Sequence, residues 1–300
     1  MNIAYLVFAY KNPMLLEKLI GHLCCERSGF FIHLDSKTPL AQFSQIRGPN
    51  VLVLQDRIPV HWAEFSGVEA IMRLIGEALA SPRTYDYFVL LSGSEYPLQS
   101  STYIHRFFEA NRGSEFINLV KIPNELAGKP LSRIDTIRAP SSRPMLRFAL
   151  RALAAFGLAR RDHKNYLGRM QPYAGNTWWA LSRDACEYVV RFCAENHTVV
   201  EYFRYTFAPE EMFIHSIIGN SHLVANVERN IVYEDWTSRG AHPSMIDERH
   251  LALFKENPKV IQNDVYGVGE ALFARKVGDT DMQIIDAMDA LLKAKAAGES

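Results

Sequence analysis

A chain of 300 residues, 48% hydrophobic and 22% charged, is long enough to bury a substantial core and has the composition of a folded protein, which excludes intrinsic disorder. Lysine plus arginine and aspartate plus glutamate each number 33, so no global positive field exists to attract a polyanion, and nucleic acid is not an expected partner. The four cysteines make no disulfide framework, since Cys24 and Cys25 are adjacent and Cys186 and Cys193 have no zinc-knuckle spacing. A reducing, cytoplasmic compartment is the expectation.

The opening MNIAYLVFAYKNP carries a short apolar run with no basic leader or small-residue cleavage site, and reads as a first buried strand over Ile3 to Ala9. Asn12-Pro13 then predicts a helix to about Cys25, with Asn12 as its cap. Strands follow at Phe30 to Leu34 and Val51 to Leu54. Ser66-Gly67-Val68-Glu69 has the spacing of a capping box and opens an amphipathic run to Ala80. Further strands are expected at Tyr87 to Leu91 and Phe116 to Leu119.

This alternation predicts an α/β chain whose mostly parallel central sheet is flanked by helices. Ligands of such sheets bind beyond the carboxyl ends of the strands, which directs attention to Asp35 and to the Ser92-Gly93-Ser94-Glu95 loop. Residues 121–172 are irregular, with several prolines and a basic, apolar stretch over 144–161. Order returns at Tyr173 to Leu181, followed by helices from Arg183 to Ala194, from near Pro209, and from Met282 to Leu292. One domain over 1–300 is the simplest division, with a first half over 1–120, the irregular region 121–172 and a second half over 173–300.

Seven segments carry the most information: FFIHLDSK (30–37), VHWAEFSGVEA (60–70), YFVLLSGSEYPLQS (87–100), GNTWWALSR (175–183), APEEMFIHSIIGNS (208–221), YEDWTSRGAHP (233–243) and LFARK (272–276). Together, in this order, they resemble the core-2/I-branching β-1,6-N-acetylglucosaminyltransferase family, which includes the peptide xylosyltransferases. The resemblance implies a GT-A type fold and a metal-independent, inverting glycosyltransferase, which moves a sugar from a UDP-sugar to a carbohydrate hydroxyl. N-acetylglucosamine is the favoured sugar and xylose the alternative, and the resemblance implies that 1–120 holds the donor nucleotide and 173–300 the acceptor and catalytic groups.

Inversion needs a base for the acceptor hydroxyl and positive charge for the departing diphosphate. Glu211 matches the family's catalytic carboxylate. A first helical turn would favour its ionised form, while adjacent Glu210 would oppose it. Chemistry alone does not separate the two, and the family motif selects Glu211, leaving Glu210 to the acceptor. Arg275 and Lys276 match the basic pair that replaces a metal at the donor diphosphate, although both could face the phosphates only at a turn or strand end. Asp35 would hydrogen-bond ribose or uracil, or else serve a turn. Ser92 belongs to the same donor side, and Glu95 stands where aspartate is commoner in the family, near the transferred sugar.

Trp178, Trp179 and Trp236 are expected on the acceptor side, where indole faces stack on sugar rings, although core packing is the commoner use of any one tryptophan. The Asp279-Thr280-Asp281 pair has the form of a metal-binding motif, but Asp281 reads better as the cap of the last helix, so no cofactor or metal is expected.

Arg147 and Arg151 lie one turn apart in the 144–161 stretch, with Arg143, Arg160 and Arg161 flanking an apolar body. Such a helix either packs on the domain or meets an anionic membrane surface, which would suit a lipid-linked glycan acceptor. The animal relatives act behind a membrane anchor with disulfides. This sequence shows neither pattern, and a bacterial cytoplasmic enzyme, peripheral to the inner membrane, is the expectation. A glycan-binding protein without turnover is the alternative of a different class.

Overall fold

Runs of aromatic and branched residues with no polar alternation must be covered on both faces, and Ile3–Ala9 is such a run, buried along almost its whole length. The computed structural model describes residues 1–238, 240, 242–279 and 281–298. In chain order its strands are β1 (Ile3–Ala9), β2 (Ser28–Leu34), β3 (Val51–Val53), β4 (Tyr87–Ser92), β5 (Tyr96–Pro97), β6 (Glu115–Ile117), β7 (Val120–Lys121), β8 (Tyr173–Ala174), β9 (Trp179–Ser182), β10 (Val227–Glu228), β11 (Val232–Glu234), β12 (Val260–Asp264), β13 (Gly267–Ala271) and β14 (Phe273–Arg275).

The main sheet has the order β10-β6-β9-β4-β1-β2-β3. All its pairings are parallel except those of β9, which runs against both β4 and β6. This is the α/β architecture expected from the sequence, with a mainly parallel sheet flanked by helices. Val7 faces Ile32 on one side and Leu91 on the other, so the three central strands end level and their following loops meet at one edge.

Pro13–Leu23 and Ser66–Ala80 are the first two long helices, but their starts differ from expectation. Asn12 adopts a left-handed conformation and caps nothing; its Nδ2 donates to the Gly93 carbonyl at 2.9 Å and to Ser94 Oγ at 3.1 Å. Asp279 instead accepts from the Leu15 N–H at 2.9 Å, supplying the missing cap from across the chain. Ser66 makes no capping box, because its Oγ accepts from the His61 N–H and Glu69 pairs with Arg204.

Later elements include the helix Arg183–Glu195, capped by Ser182, and the helix Met282–Ala297, capped by Asp281 as expected. No helix among the described residues is long and apolar enough to cross a membrane. The four cysteines are free thiols.

A second, smaller sheet of order β11-β14-β5 lies beside the main one, and its register places Glu234 opposite Arg275. Its core, built from Tyr96, Phe254, Ile285 and Met288, is separate from the main core.

Glu115 is buried within the main sheet, where it accepts from the N–H and hydroxyl of Ser182. Burial raises its pKa from 4.5 to about 7, partly opposed by those two bonds. The unfolded chain therefore releases this proton at lower pH than the folded one, and stability should fall as pH rises from about 4.5 to 7. Denaturant unfolding of Glu115→Gln across that window should show a flatter pH profile, by at most about 1.4 kcal/mol per pH unit. An unchanged slope would mean that Glu115 does not titrate there.

Candidate functional site

The loops after β1, β2 and β4 form one edge of the sheet and bring Lys11, Asp35 and Ser92 together with the turn behind them. Asp35 is buried; its Oδ1 accepts from the Lys37 N–H at 2.9 Å and its Oδ2 pairs with Lys37 Nζ at 3.1 Å. Ser92 Oγ accepts from the Ser94 N–H at 3.2 Å. A Cβ on Gly93 would lie 3.0 Å from the Lys11 carbonyl oxygen, so the β1 and β4 loops approach closely only because this residue has no side chain.

Arg275 sits where the small sheet meets this edge. Its Nη1 contacts Glu95 Oε1 at 2.5 Å, its Nε lies 3.3 Å from Glu234 Oε1, and its guanidinium stands 4.4 Å above the Trp178 ring. Glu95 is fully buried, and its other oxygen accepts from the Ser92 N–H. Both of its oxygens are thus engaged inside the wall, so Glu95 holds Arg275 rather than reaching a sugar as expected from the sequence. Glu234 also accepts from Asn176 Nδ2 and from Trp236 Nε1. Burial raises its pKa above the usual carboxylate range, with Arg275 opposing.

β14 ends at Arg275, and Lys276 lies beyond it with no ion-pair partner among the described residues. Burial, then the nearby charges of Lys11 and Arg275, lower the Lys276 pKa. The same three cations, after burial, lower that of His242. A local excess of positive charge therefore gathers at Lys11 and Lys276, while Arg275 is compensated by two carboxylates.

The tryptophans divide by burial. Trp179 is a core residue of β9, paired with Ile117, and offers no face to an acceptor; the alternation of the strand sends it inward. Trp178 is also buried, covered by Arg275 and Phe8, which corrects the expectation of a sugar-stacking surface there. Trp236 is 46% exposed beside Glu234.

Glu211 does not sit in the first turn of an α-helix. Ala208 takes a left-handed conformation, Pro209–Glu211 form one 3-10 turn, and the helix Phe213–Gly219 begins only after the break at Met212. No regular helix dipole is available at that position. The carboxylate is held instead by Lys129 Nζ at 2.5 Å and Arg133 Nη1 at 2.6 Å, with a quarter of the side chain still exposed. Burial tends to raise its pKa, but Lys129 and Arg133 outweigh it and hold the carboxyl below its usual value.

Glu210 points elsewhere, with its carboxyl carbon about 4 Å from where a Cβ on Gly67 would lie and Oε2 lacking a hydrogen-bond partner. Burial, then repulsion from Glu211, raises its pKa to about 8. It is buried against Gly67 and makes no ion pair with Lys129 or Arg133, which does not suit the acceptor contact expected of it.

Lys129, Arg133, Glu234 and Asn176 were not singled out from the sequence. Lys129 and Arg133 lie in the irregular stretch, where no periodicity marks them. Gly175 lies in the GNTWWALSR motif, and a Cβ there would fall 1.8 Å from the Asn118 carbonyl oxygen. Its N–H donates to the Glu211 carbonyl at 2.9 Å, and the Asn176 carbonyl contacts His215 Nε2 at 2.9 Å.

No three or more His, Cys, Asp or Glu side chains among the described residues converge as metal ligands would. Asp279 and Asp281 both cap helices, and Thr280 between them lies outside the described residues.

Residues 3–256 match the family model described as Core-2/I-Branching enzyme, and the chain belongs to that family. Arg275 and Lys276 lie beyond the matched segment. The chain is 25% identical to mouse (Mus musculus) xylosyltransferase 2 over 252 residues, covering 79% of this chain and 27% of that protein. It is 24% identical to the xylosyltransferase oxt of Drosophila pseudoobscura pseudoobscura over 232 residues, covering 74% of this chain and 24% of that protein. It thus spans about a quarter of the length of these relatives. Among solved structures, a 4-diphosphocytidyl-2C-methyl-D-erythritol synthase matches loosely, at 13% identity and a TM-score of 0.34, over 68% of this chain and 87% of that one.

If Lys129 and Arg133 set the ionisation of Glu211, Lys129→Met should raise its pKa toward or above the usual carboxylate value. The carboxyl titration of Glu211, followed by carbon-13 NMR against Glu211→Gln, should move to higher pH in the Lys129→Met chain. A midpoint that stays in place would assign the low value to something other than this ion pair.

Proposed function

We propose that this chain is a metal-independent, inverting glycosyltransferase that moves a sugar from a UDP-sugar to a hydroxyl of a glycan. The observation that carries the reading is Glu211: a partly exposed carboxylate kept ionised by Lys129 and Arg133, in a chain of the core-2/I-branching family. In the proposed step the acceptor oxygen bonds to the anomeric carbon, and its proton passes to Glu211. On the opposite face the bond from that carbon to the diphosphate oxygen breaks, and the electron pair leaves with UDP.

Lys276 and Lys11 make no ion pair among the described residues, although Glu95 lies near enough to Lys276 to act on its charge, and both would meet the negative charge growing on the leaving group. Arg275, already compensated, would orient this edge. Asp35 and Ser92 would hold the nucleoside, and Trp236 would offer an indole face to the acceptor. UDP-N-acetylglucosamine is the donor of the branching enzymes; the relatives named xylosyltransferase favour UDP-xylose as the second reading.

The helix Pro144–Ala155 supports a further part of this reading, contact with an anionic membrane surface. None of its residues is buried, and Met145, Phe148 and Phe156 are 86%, 77% and 80% exposed. Between Asp135 and Asp162 the chain has six arginines and no acidic residue. A location at the cytoplasmic face of a membrane and a lipid-linked glycan acceptor follow from the proposal. Binding to vesicles containing phosphatidylglycerol should weaken at least about tenfold in Met145→Ser/Phe148→Ser, and equal binding to neutral vesicles would remove this part of the reading.

Transfer or donor hydrolysis should be measured across UDP-sugars in excess EDTA. Glu211→Gln should lower kcat about 10²- to 10⁴-fold with UDP affinity retained, whereas Lys276→Ala should weaken UDP binding. A requirement for manganese, or full turnover without Glu211, would overturn the mechanism.

A further inference from the structure

A cleft of about 320 Å³ opens beside the Glu211 turn and takes no part in the proposed donor site. Its position relative to Glu211 is set by backbone bonds. The Ala208 N–H donates to the Ala63 carbonyl and the Phe207 N–H to the Arg133 carbonyl, each at 3.2 Å. Glu211 follows Ala208 by three residues, and Arg133, which grips Glu211, lies 5.3 Å from the Phe207 ring on the cleft wall.

The lining combines aromatic surface with cations. Trp62 is 71% exposed and meets Phe207 edge to face, with ring centroids 5.8 Å apart. Arg138 stacks on Phe207 at 4.7 Å. Arg147, Leu150, Arg151 and Ala154 follow at helical spacing, so one face of the Pro144–Ala155 helix forms a wall. Two of the cations are already compensated: Arg147 pairs with Glu64, and Arg204 with Glu69 and Glu201. Arg138 and Arg151 have no ion-pair partner among the described residues. The only carboxylate of the lining, Glu64, is occupied by Arg147 and by the N–H and hydroxyl of Ser141.

We propose that this cleft binds an anionic sugar unit of the acceptor, with its ring on Trp62 and its carboxylate or phosphate on Arg138 and Arg151. Two uncompensated guanidiniums select an anion, and an exposed indole at the mouth selects a ring with an apolar face. The volume suits a small-molecule site. The assignment of the sugar to the acceptor rests on the glycosyltransferase reading, since the cleft adjoins the base Glu211 and Lys11, Asp35 and Lys276 are not among its lining residues. Binding of the anionic sugar itself does not rest on it.

The test is equilibrium binding to the full chain, by calorimetry, of three probes: a glucuronic-acid-containing disaccharide, the matching glucose-containing disaccharide, and glucose 1-phosphate. UDP is titrated in the same preparation. At least one anionic probe should bind about tenfold or more tightly than the neutral disaccharide. That preference should vanish in Arg138→Gln/Arg151→Gln and persist in Glu211→Gln. Arg151→Gln alone, on an exposed helix, keeps the test valid if the double variant unfolds, and should reduce the preference. Stronger binding of the disaccharide identifies a uronate as the anion, and stronger binding of glucose 1-phosphate identifies a phosphate. Equal binding of neutral and anionic probes, or a preference untouched by the arginine substitutions, overturns the proposal. UDP binding alongside a failed cleft leaves the nucleotide-sugar reading standing; cleft binding without UDP binding sinks that reading and leaves the cleft.

Discussion

A guanidinium enclosed by two carboxylates is the constraint on which the site's frame depends. Arg275, Glu95 and Glu234 come from distant parts of the chain, and all three are largely removed from water. Taking charges out of water is unfavourable, so each is retained only if the others are in place; removing one partner of such a group costs about 3–5 kcal/mol. The consequence is positional. Glu95 fixes the Ser92 turn after β4, Glu234 fixes β11 and the Trp236 loop, and Arg275 lies flat on Trp178. The edge where three parallel strands end is thereby locked to the smaller sheet.

The Glu211 cluster has the opposite composition, with one carboxylate between two cations. Its two cations outweigh burial and lower the Glu211 pKa, whereas at Glu234 burial prevails over the single Arg275 and the pKa is raised. Two adjacent residues join the clusters. Gly175 donates to the Glu211 backbone, and Asn176 donates to the Glu234 carboxylate while its carbonyl meets the buried, neutral His215. The Gly175 backbone passes against the Asn118 carbonyl with no room for a Cβ, so the Glu211 end of this link is fixed by main chain, and the Asn176 side chain completes it at Glu234.

The strands were legible because a sheet covered on both sides demands continuous apolar runs, and Ile3–Ala9 and Tyr87–Ser92 have no other use. The starts of the first two long helices depart from expectation for one reason. Asn12 and Ser66 have side chains suited to local bonds, but partners at Gly93, Ser94 and His61 took them, and local spacing does not register such competition. The same limit hid Lys129 and Arg133, whose role exists only once residues 129–133 fold against residue 211. Glu95 and Trp179 lay in informative segments, yet they support the site from behind, since a motif does not tell a contact from its scaffold. At Pro209 the proline signals a helix start, but the break at Met212 limits the element to a single 3-10 turn and delays the α-helix to Phe213.

That short turn changes how a base at residue 211 would work. A carboxylate held by two cations is ionised throughout the neutral range, but the same pairing makes it a weak acceptor of protons. It could not deprotonate a free sugar hydroxyl. It could take the proton only as the oxygen becomes acidic, which happens while that oxygen bonds to the anomeric carbon. Proton transfer would then be tied to departure of the diphosphate, and the charge that assists departure becomes decisive. Arg275 would contribute little there, because Glu95 and Glu234 already answer its charge. Lys276 and Lys11 make no ion pair among the described residues, so in the proposed reaction their interaction would strengthen as the leaving group gains charge, which is the condition for lowering a barrier rather than merely tightening binding.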